Sequence, residues 1–336
     1  MIFTLKLFNK FFPLFHFNIY RIIDKFLNGE DVTCDLTEWL KIVFPMKNKR
    51  KKRIMSGEEP LRRSRGSRRK KEYAIMQSKF NRNMCLAAHE ILDGKIESKM
   101  PSMKTMFEYW APVFTKDSVV MDRHDNINVS VSEDLLDLLS PIAISDVAKT
   151  SIPSSSAAGL DGISVKEWAA VPKCMKAGFF NLVLVIGGFP EGLLASRTVF
   201  IPKKNNAEDP SDFRPITIGS VVVRHLHKII SSRLIDAGVI DERQRSLEDG
   251  CTENTSMIAT IINHARKHRN ELHITSIDVE KAFPSISHYA IFRALERRGF
   301  PRDFTEFVKN MYSKSTTVME INGESSENII VKRGVR

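Results

Sequence analysis

Cysteine is scarce in this 336-residue sequence, and long apolar runs are missing from it. The four cysteines are widely separated and form neither a C-x-x-C pair nor a Cys and His ligand pattern, so neither a zinc site nor a disulfide framework is expected. Charged residues interrupt the aromatic stretch at residues 1–46 before it reaches the ~20 residues that a membrane helix needs. These absences favour a nuclear or cytosolic compartment, and they predict that no membrane is a partner.

Outside one segment, the sequence has no net excess of positive charge. Residues 47–71 hold 13 Lys or Arg and two acids, so they account for the whole net charge of +11. Like charges separated by Gly and Ser cannot pack, and we predict a basic, disordered linker here. Its cations could bind nucleic-acid phosphates or form a bipartite nuclear import signal, and a merely solvated linker is the alternative. The candidate phosphate contacts are Lys51, Lys52, Arg53, Arg68 and Arg69.

A single acidic side chain follows an apolar run near the C-terminal end. The pattern predicts a buried strand at 273–279 that presents Asp278 and the Val279 carbonyl, with Phe283 following. Oxygen ligands of this kind suit Mg²⁺, which proteins usually hold through one or two carboxylates together with substrate phosphates. The alternative for a lone Asp at a strand end is a helix cap or a solvated turn.

Other short motifs surround this strand in a fixed order. They are Ser155–Ser164 (SSAAGLDGIS), Thr198–Lys204 (TVFIPKK), Asp212–Ile216 (DFRPI), Gln244 with Arg245, Asp249–Asn254 (DGCTEN) and Arg333–Arg336 (RGVR). In this order and spacing they resemble the reverse transcriptase of non-LTR retrotransposons. The nearest likeness is to the site-specific elements that insert into ribosomal RNA genes and carry a restriction-like endonuclease. The resemblance is dense over residues 145–336.

The resemblance implies an α+β right-hand polymerase fold, with fingers, an incomplete palm and a helical amino-terminal extension. It implies that Asp278 and the Val279 carbonyl bind Mg²⁺, of which the full enzyme would use two for nucleotide transfer. Phe283 resembles the residue that packs under the sugar of the incoming nucleotide. Lys203 and Arg214 resemble the cations that grip its triphosphate, and a solvated surface cation is the alternative for each.

The first motif contains two glycines that bracket an acid. In the family likeness, Gly159, Asp161 and Gly162 lie against the nucleic-acid template, because glycine permits a positive φ and a close backbone approach. An ordinary surface turn would have the same sequence.

The sequence also departs from the family pattern. Pro284 stands where a polar or acidic residue is usual, and no adjacent pair of aspartates follows Asp278. Relatives continue into a hairpin with such a pair, then a thumb and an endonuclease. We therefore expect a fragment of an RNA-directed DNA polymerase that does not polymerise alone. RNA template, DNA primer or target, and deoxynucleoside triphosphates are its implied partners, in the nucleus or in a cytoplasmic ribonucleoprotein. The alternative is a non-catalytic RNA- or DNA-binding protein from a decayed element.

The sequence divides into four predicted segments. They are an apolar and aromatic extension without assigned role or family likeness (1–46), the basic linker (47–71), a helical amino-terminal extension (72–144) and the truncated fingers and palm (145–336). Helices are predicted at 72–92, 132–139, from 165 onward, and at 179–188, 221–237, 255–268, 288–298 and 302–312. Strand pairs are predicted at 198–202 with 214–218, and at 316–321 with 328–332. We expect His225 and His227 to lie on a helix surface.

Overall fold

A computed structural model describes residues 21–43 (without 23 and 27), 73, 77, 99–117, 131–238 and 250–335. The predicted basic linker lies outside these residues, and so does the predicted helix at 72–92 except for two positions. The α-helices of the described residues are α1 (Thr33–Val43), α2 (Met103–Thr115), α3 (Ile144–Lys149), α4 (Val165–Ala170), α5 (Lys173–Ile186), α6 (Glu191–Leu194), α7 (Val221–Asp236), α8 (Gly250–His268), α9 (Ala282–Ser285), α10 (His288–Arg297) and α11 (Arg302–Ser313). Two 3-10 helices are Glu133–Leu139 and Pro210–Asp212. No helix in this part of the chain is both long and apolar enough to cross a membrane.

Capping residues fix several helix ends. The Ser164 Oγ accepts from the Glu167 N–H (3.2 Å), and the Glu167 carboxylate accepts from the Ser164 N–H (3.0 Å), so α4 begins with a reciprocal capping box. Ser220 caps α7 through a single bond, in which its Oγ accepts from the Val222 N–H (3.1 Å). Gly187, at φ +77°, ends α5 in the left-handed conformation that glycine adopts without steric cost. These residues mark the starts of α4 and α7 and the end of α5 in the sequence.

The strands form one mixed sheet. They are β1 (Ala195–Pro202), β2 (Phe213–Ile218), β3 (Thr316–Ile321), β4 (Glu324–Ser325) and β5 (Ile329–Ile330). β1 pairs antiparallel with β2 and parallel with β3, and both β4 and β5 pair antiparallel with β3. The Thr198 hydroxyl lies 2.8 Å from that of Thr317, which satisfies two buried polar groups across the sheet, and 3.0 Å from that of the exposed Thr217. The predicted strand pairs are confirmed, and the described chain is α+β.

The larger hydrophobic core unites the amino-terminal segment with the helices of residues 145–336. Trp39 of α1 stacks on Phe179 of α5 at 5.7 Å, and Trp168 of α4 meets the same ring edge-on at 6.4 Å. All three side chains are buried. The sequence left residues 1–46 without a role, and the structure places their described part, with α1, inside this core.

A second core lies between α2 and the sheet. Trp110 and Phe114 of α2 pack with Phe200 of β1 and Phe213 of β2, and Met319 of β3 completes this cluster. Trp110 lies 5.9 Å from the Phe200 ring, and its indole N–H donates to the Pro210 carbonyl (3.2 Å). Helix α2 therefore packs against one face of the sheet.

The predicted buried strand at 273–279 is not formed. These residues have no strand pairing in the structure, and every one of them is exposed, with Ile277 at 86%. The physical reason is that an extended segment becomes a strand only when its N–H and C=O groups pair with a neighbour. No described strand runs beside these residues, since the sheet order is β2, β1, β3, β4 with β5 also on β3.

His225 also differs from its prediction, because it is buried rather than on a helix surface. Its Nδ1 accepts from the Trp168 indole N–H (2.9 Å), and its Nε2 lies 3.2 Å from the Thr150 carbonyl. The first contact requires Nδ1 to be unprotonated, and the second places the ring proton on Nε2. His227 is half-buried and lies 3.2 Å from the Met311 sulfur.

This arrangement predicts a loss of stability in weak acid. Burial lowers the pKa of His225 below its ordinary value of 6.5, although the Thr150 carbonyl opposes the shift. The unfolded chain therefore binds a proton that the folded chain resists, and stability falls as the pH drops below about 6.5. Thermal unfolding measured from pH 7.5 to 5 should show this slope. It should be shallower in Trp168→Phe, which frees Nδ1 for protonation, and an equal slope in both proteins would contradict the assignment.

Candidate functional site

The two predicted triphosphate-binding cations lie at the loop end of the β1–β2 hairpin, which is called the cationic hairpin below. Lys203 follows β1 directly, and its N–H donates to the Asp212 carbonyl (2.8 Å). Arg214 stands on β2 opposite Ile201. Both side chains are exposed, so an anion could reach both.

The contacts of Lys203 and Lys204 differ, and among the described residues only those of Lys204 include a carboxylate. The Lys203 ammonium donates to the Ser211 carbonyl (2.7 Å), which is a neutral partner. The adjacent Lys204 instead pairs with the Asp212 carboxylate at 2.9 Å. Hydrogen bonding between the two raises the pKa of Lys204 and lowers the pKa of Asp212. The Asp212 carboxylate is thus paired with Lys204, and the Lys203 ammonium has a neutral carbonyl as its hydrogen-bond partner.

The loop with the predicted template-binding glycines is tied to the protein from two sides. The Arg197 guanidinium donates from Nε to the Ala158 carbonyl (3.0 Å) and pairs with Glu320 at 2.7 Å. Arg224, near the start of α7, donates to the Ala157 carbonyl. The two arginines therefore hold adjacent carbonyls of the same loop.

Gly159 and Gly162 are required for different reasons. Gly162 has φ +73°, as the turn prediction expects. Gly159 is not one of the described glycines with a positive φ. It packs instead against the backbone of Gly219 and Ser220. A Cβ at position 159 would lie 2.8 Å from the Gly219 carbonyl carbon. The close approach predicted for Gly159 is thus made to the protein's own backbone.

Asp161 shapes this loop from within. Its Oδ1 accepts from the Ile163 N–H (3.2 Å), the local bond of an Asx-type turn. Burial raises the pKa of Asp161, while a hydrogen bond with Ser220, the Ile163 N–H and the charge of Arg224 oppose the rise. This inward role was not evident from the sequence.

The predicted metal-binding residues lie at the start of residues 278–286, which are called the Asp278 turn below and which include the short helix α9. Asp278 is exposed, as are Val279 (63%) and Phe283 (74%). Among the described residues, no group of three or more His, Cys, Asp or Glu side chains could hold a metal ion. Asp278 and a backbone carbonyl fit part of a Mg²⁺ shell, because this ion keeps water and substrate oxygens. The described residues therefore offer part of a metal site.

The peptide that follows Asp278 is held by the Arg333–Val335 segment. The Val335 N–H donates to the Phe283 carbonyl (2.9 Å), the Gly334 N–H to the Ile286 carbonyl (2.7 Å) and the Arg333 guanidinium to the Ser285 carbonyl (2.6 Å). Gly334, at φ +98°, packs against Pro284 so closely that a Cβ would lie 3.2 Å from the Pro284 Cα. The last sequence motif is thus a clamp on the turn of the Asp278 motif.

Sequence reasoning missed a second contact to this turn. The Lys281 ammonium lies 4.7 Å from the centroid of the Tyr109 ring and 5.9 Å from that of Trp110. Hydrogen bonding to Tyr109 raises the pKa of Lys281, which keeps it charged. A Tyr-Trp pair in a helix is an ordinary core pattern, so no local signal in the sequence marks this long-range contact.

Comparison with known proteins assigns the class. Residues 201–336 match the family described as "Reverse transcriptase (RNA-dependent DNA polymerase)". The matched region contains Lys203, Arg214 and β2, and it continues through α7 and the Asp278 turn to β3. It is a reverse transcriptase domain.

Two relatives indicate which group of reverse transcriptases this chain is similar to. The chain is 34% identical over 319 residues to the Retrovirus-related Pol polyprotein from type-2 retrotransposable element R2DM of Drosophila melanogaster, over 94% of this chain and 30% of that protein. It is 32% identical over 294 residues to the Retrovirus-related Pol polyprotein from type-1 retrotransposable element R2 of Bradysia coprophila, over 86% of this chain and 34% of that protein. The chain belongs to the R2-like reverse transcriptases of non-LTR retrotransposons.

The extent of these matches bears on the domain boundaries. The chain spans only about a third of either relative, at 30% and 34% of their lengths. Because 94% of this chain is covered by the first match, part of residues 1–46 must lie within the aligned region. The expectation that this segment has no family likeness was therefore wrong.

Proposed function

We propose that this chain supplies the fingers and the first part of the palm of an RNA-directed DNA polymerase with the right-hand fold. The substrates would be an RNA template, a DNA primer or target and deoxynucleoside triphosphates. One observation carries the proposal: the family match contains Lys203, Arg214 and Asp278, and the fold brings the two cations together on one exposed hairpin.

The roles follow from charge and position. Arg214 would bind the triphosphate oxygens through its planar guanidinium, and Lys203 would add a compact positive charge beside it. Asp278 and the Val279 carbonyl would hold Mg²⁺, which activates the primer hydroxyl and stabilises the leaving pyrophosphate. The exposed Phe283 ring would contact the sugar of the incoming nucleotide. The Gly159–Gly162 loop, fixed by Arg197 and Arg224, would support the template.

We expect the described carboxylate to be insufficient for catalysis alone. One Asp anchors only part of a two-metal site, and the family resemblance implies that an adjacent aspartate pair supplies the other ligands. Pairing with such a hairpin would also satisfy the exposed backbone of residues 273–279 and turn it into the predicted strand. Both effects make activity depend on a longer polypeptide.

Primer extension tests this proposal. Residues 1–336 are assayed with an RNA template, a DNA primer, deoxynucleotides and Mg²⁺, alone and fused to the remainder of the Drosophila melanogaster polyprotein. We expect extension by the fusion and none by the chain alone. Extension by the chain alone would refute the requirement for further ligands. A folded fusion that binds the primer and template without extending them would refute the polymerase assignment.

The hairpin cations make a further prediction. In the active fusion, Arg214→Ala should raise the KM for deoxynucleotide by about tenfold to a hundredfold, since hydrogen bonds to charged groups contribute about 1.5–3 kcal/mol. Lys203→Ala should act in the same direction. Lys204→Ala is the matched control, because that ammonium is engaged with Asp212. Steady-state kinetics check the result, and equal KM values in all four proteins would contradict the role of the hairpin.

A second function is favoured by the charge distribution. The segment 47–71 carries the whole net charge of +11, which suits a nucleic-acid contact or nuclear import signal without any catalysis. In this alternative the chain binds RNA or DNA in the nucleus as a non-catalytic protein. Deleting 47–71 should then weaken binding at low salt and flatten its salt dependence. Unchanged affinity would remove Lys51, Lys52, Arg53, Arg68 and Arg69 from the binding surface.

A further inference from the structure

Three elements distant in sequence meet around Trp110. Its indole N–H donates to the Pro210 carbonyl in the cationic hairpin, and its ring packs against Phe200 of β1. The Lys281 ammonium contacts the ring of Tyr109, the residue before Trp110. The Tyr109 and Trp110 rings meet edge-on at 5.2 Å. Trp110 is 1% exposed, so this junction is built into the core. Helix α2 thus touches both the hairpin and the turn that follows Asp278.

Lys281 occupies an unusual backbone position at this junction. It has φ +51°, in the left-handed region that costs a residue other than glycine free energy, and it stands immediately before α9. Favourable contacts of the Lys281 side chain can offset that cost. The ion pair of Lys281 with Glu280 spans 3.5 Å and involves a carboxylate that is 88% exposed, so it contributes little. The aromatic pair is the more stabilising contact, because its cation is partly desolvated.

We propose that Lys281 is a positioning residue, whose ammonium binds the Tyr109 and Trp110 rings and so fixes the Asp278 turn relative to the cationic hairpin. This inference rests on the proposed polymerase function for its catalytic consequence, but not for its structural one. Lys281 lies three residues after Asp278, and the contacts of Arg333–Val335 with Phe283, Ser285 and Ile286 lie further along the chain. Of these contacts, the one made by Lys281 is the nearest to Asp278, so its loss would leave the peptide between Asp278 and α9 less firmly held.

Hydrogen exchange of the chain tests the structural part. Lys281→Met should open the turn and speed amide exchange at Ser285, Gly334 and Val335 by about tenfold, the size expected when a partly desolvated cation–π contact is lost. Lys281→Arg keeps a cation and should remain close to the unsubstituted protein. Tyr109→Leu should resemble Lys281→Met. Exchange that stays unchanged in both Lys281→Met and Tyr109→Leu would overturn the proposal.

A matched control separates this contact from general loss of lysine. Lys309 lies 5.9 Å from the Phe292 ring on a different pair of helices, so Lys309→Met removes a similar contact elsewhere. Exchange at Ser285, Gly334 and Val335 should not respond to it. If Lys309→Met opens the turn as much as Lys281→Met does, the effect is not specific and the proposal fails.

Primer extension by the fusion tests the catalytic part. Lys281→Met should lower kcat about tenfold with little change in the KM for deoxynucleotide, and Lys281→Arg should restore most of the rate. A change in KM without a change in kcat would overturn the positioning role. If the unsubstituted fusion shows no extension, the polymerase proposal fails, and the exchange experiment still decides whether Lys281 anchors the turn.

Discussion

Replacing Gly159 with alanine is expected to lower the free energy of unfolding by about 3 kcal/mol, near the upper end of the cost of overpacking. The added Cβ would meet the Gly219 carbonyl carbon and the Ser220 nitrogen at 2.8 Å. These are backbone atoms, which cannot turn aside as a flexible side chain does. The loop of residues 157–162 would have to move away from α7, and the contacts of Arg197 and Arg224 with it would lengthen.

Urea unfolding of Gly159→Ala checks this result, with Gly178→Ala as the matched control. Gly178 lies inside α5, and a Cβ there would meet nothing within 4 Å. That substitution should raise stability by roughly 0.5–1 kcal/mol, because alanine is the better helix former. A Gly159→Ala protein as stable as the unsubstituted chain would mean that the loop does not lie against Gly219 and Ser220.

Replacing Trp39 with alanine is expected to cost about 3–5 kcal/mol of stability, as for other large buried aromatic side chains. The indole is 2% exposed and stacks on Phe179 at 5.7 Å. The result would establish that the amino-terminal segment is an integral part of the fold. A detachable extension would give a much smaller loss.

Ile42→Ala is the control for Trp39→Ala. Ile42 lies on the same helix, α1, and is 55% exposed. Its truncation should change the free energy of unfolding by less than about 0.5 kcal/mol, as surface substitutions usually do. Similar effects of both substitutions in urea unfolding would contradict the packing of α1 in the core.

Local signals made much of the fold predictable from the sequence. The hairpin of β1 and β2 has β-branched strands and a polar connection, and the helices begin at residues such as Ser164 and end at residues such as Gly187. The family likeness predicts Lys203 and Arg214 as nucleotide-binding residues, and the antiparallel pairing of β1 and β2 brings them to one hairpin.

The spacing of apolar residues in α7 also indicates that His225 is buried, although a surface position was predicted for it. His225 is four residues after Val221 and four before Ile229, and all three lie on the buried side of α7. A polar side chain on an apolar stripe needs partners, and the partners are Trp168 and Thr150. Those residues are far away in the sequence, so periodicity alone could not identify them.

The remaining features depend on contacts that local sequence does not encode. The junction of Lys281 with Tyr109 and Trp110 joins elements that are distant in the sequence. The core position of Trp39 likewise depends on α5 and not on its neighbours. The prediction of a strand at 273–279 was wrong although the local sequence supports it. Its apolar, β-branched residues favour a strand, but no described strand pairs with them.

We propose that Asp278 is a metal ligand of an RNA-directed DNA polymerase, and single-turnover primer extension by the fusion protein tests this role most directly. Asp278→Ala should lower the rate by at least about 1000-fold, since a catalytic metal supplies several kcal/mol of transition-state stabilisation. Glu280→Ala is the matched control, an exposed acid two residues away, and it should leave the rate within about threefold of the unsubstituted fusion. Equal rates for Asp278→Ala and the unsubstituted fusion would contradict the account.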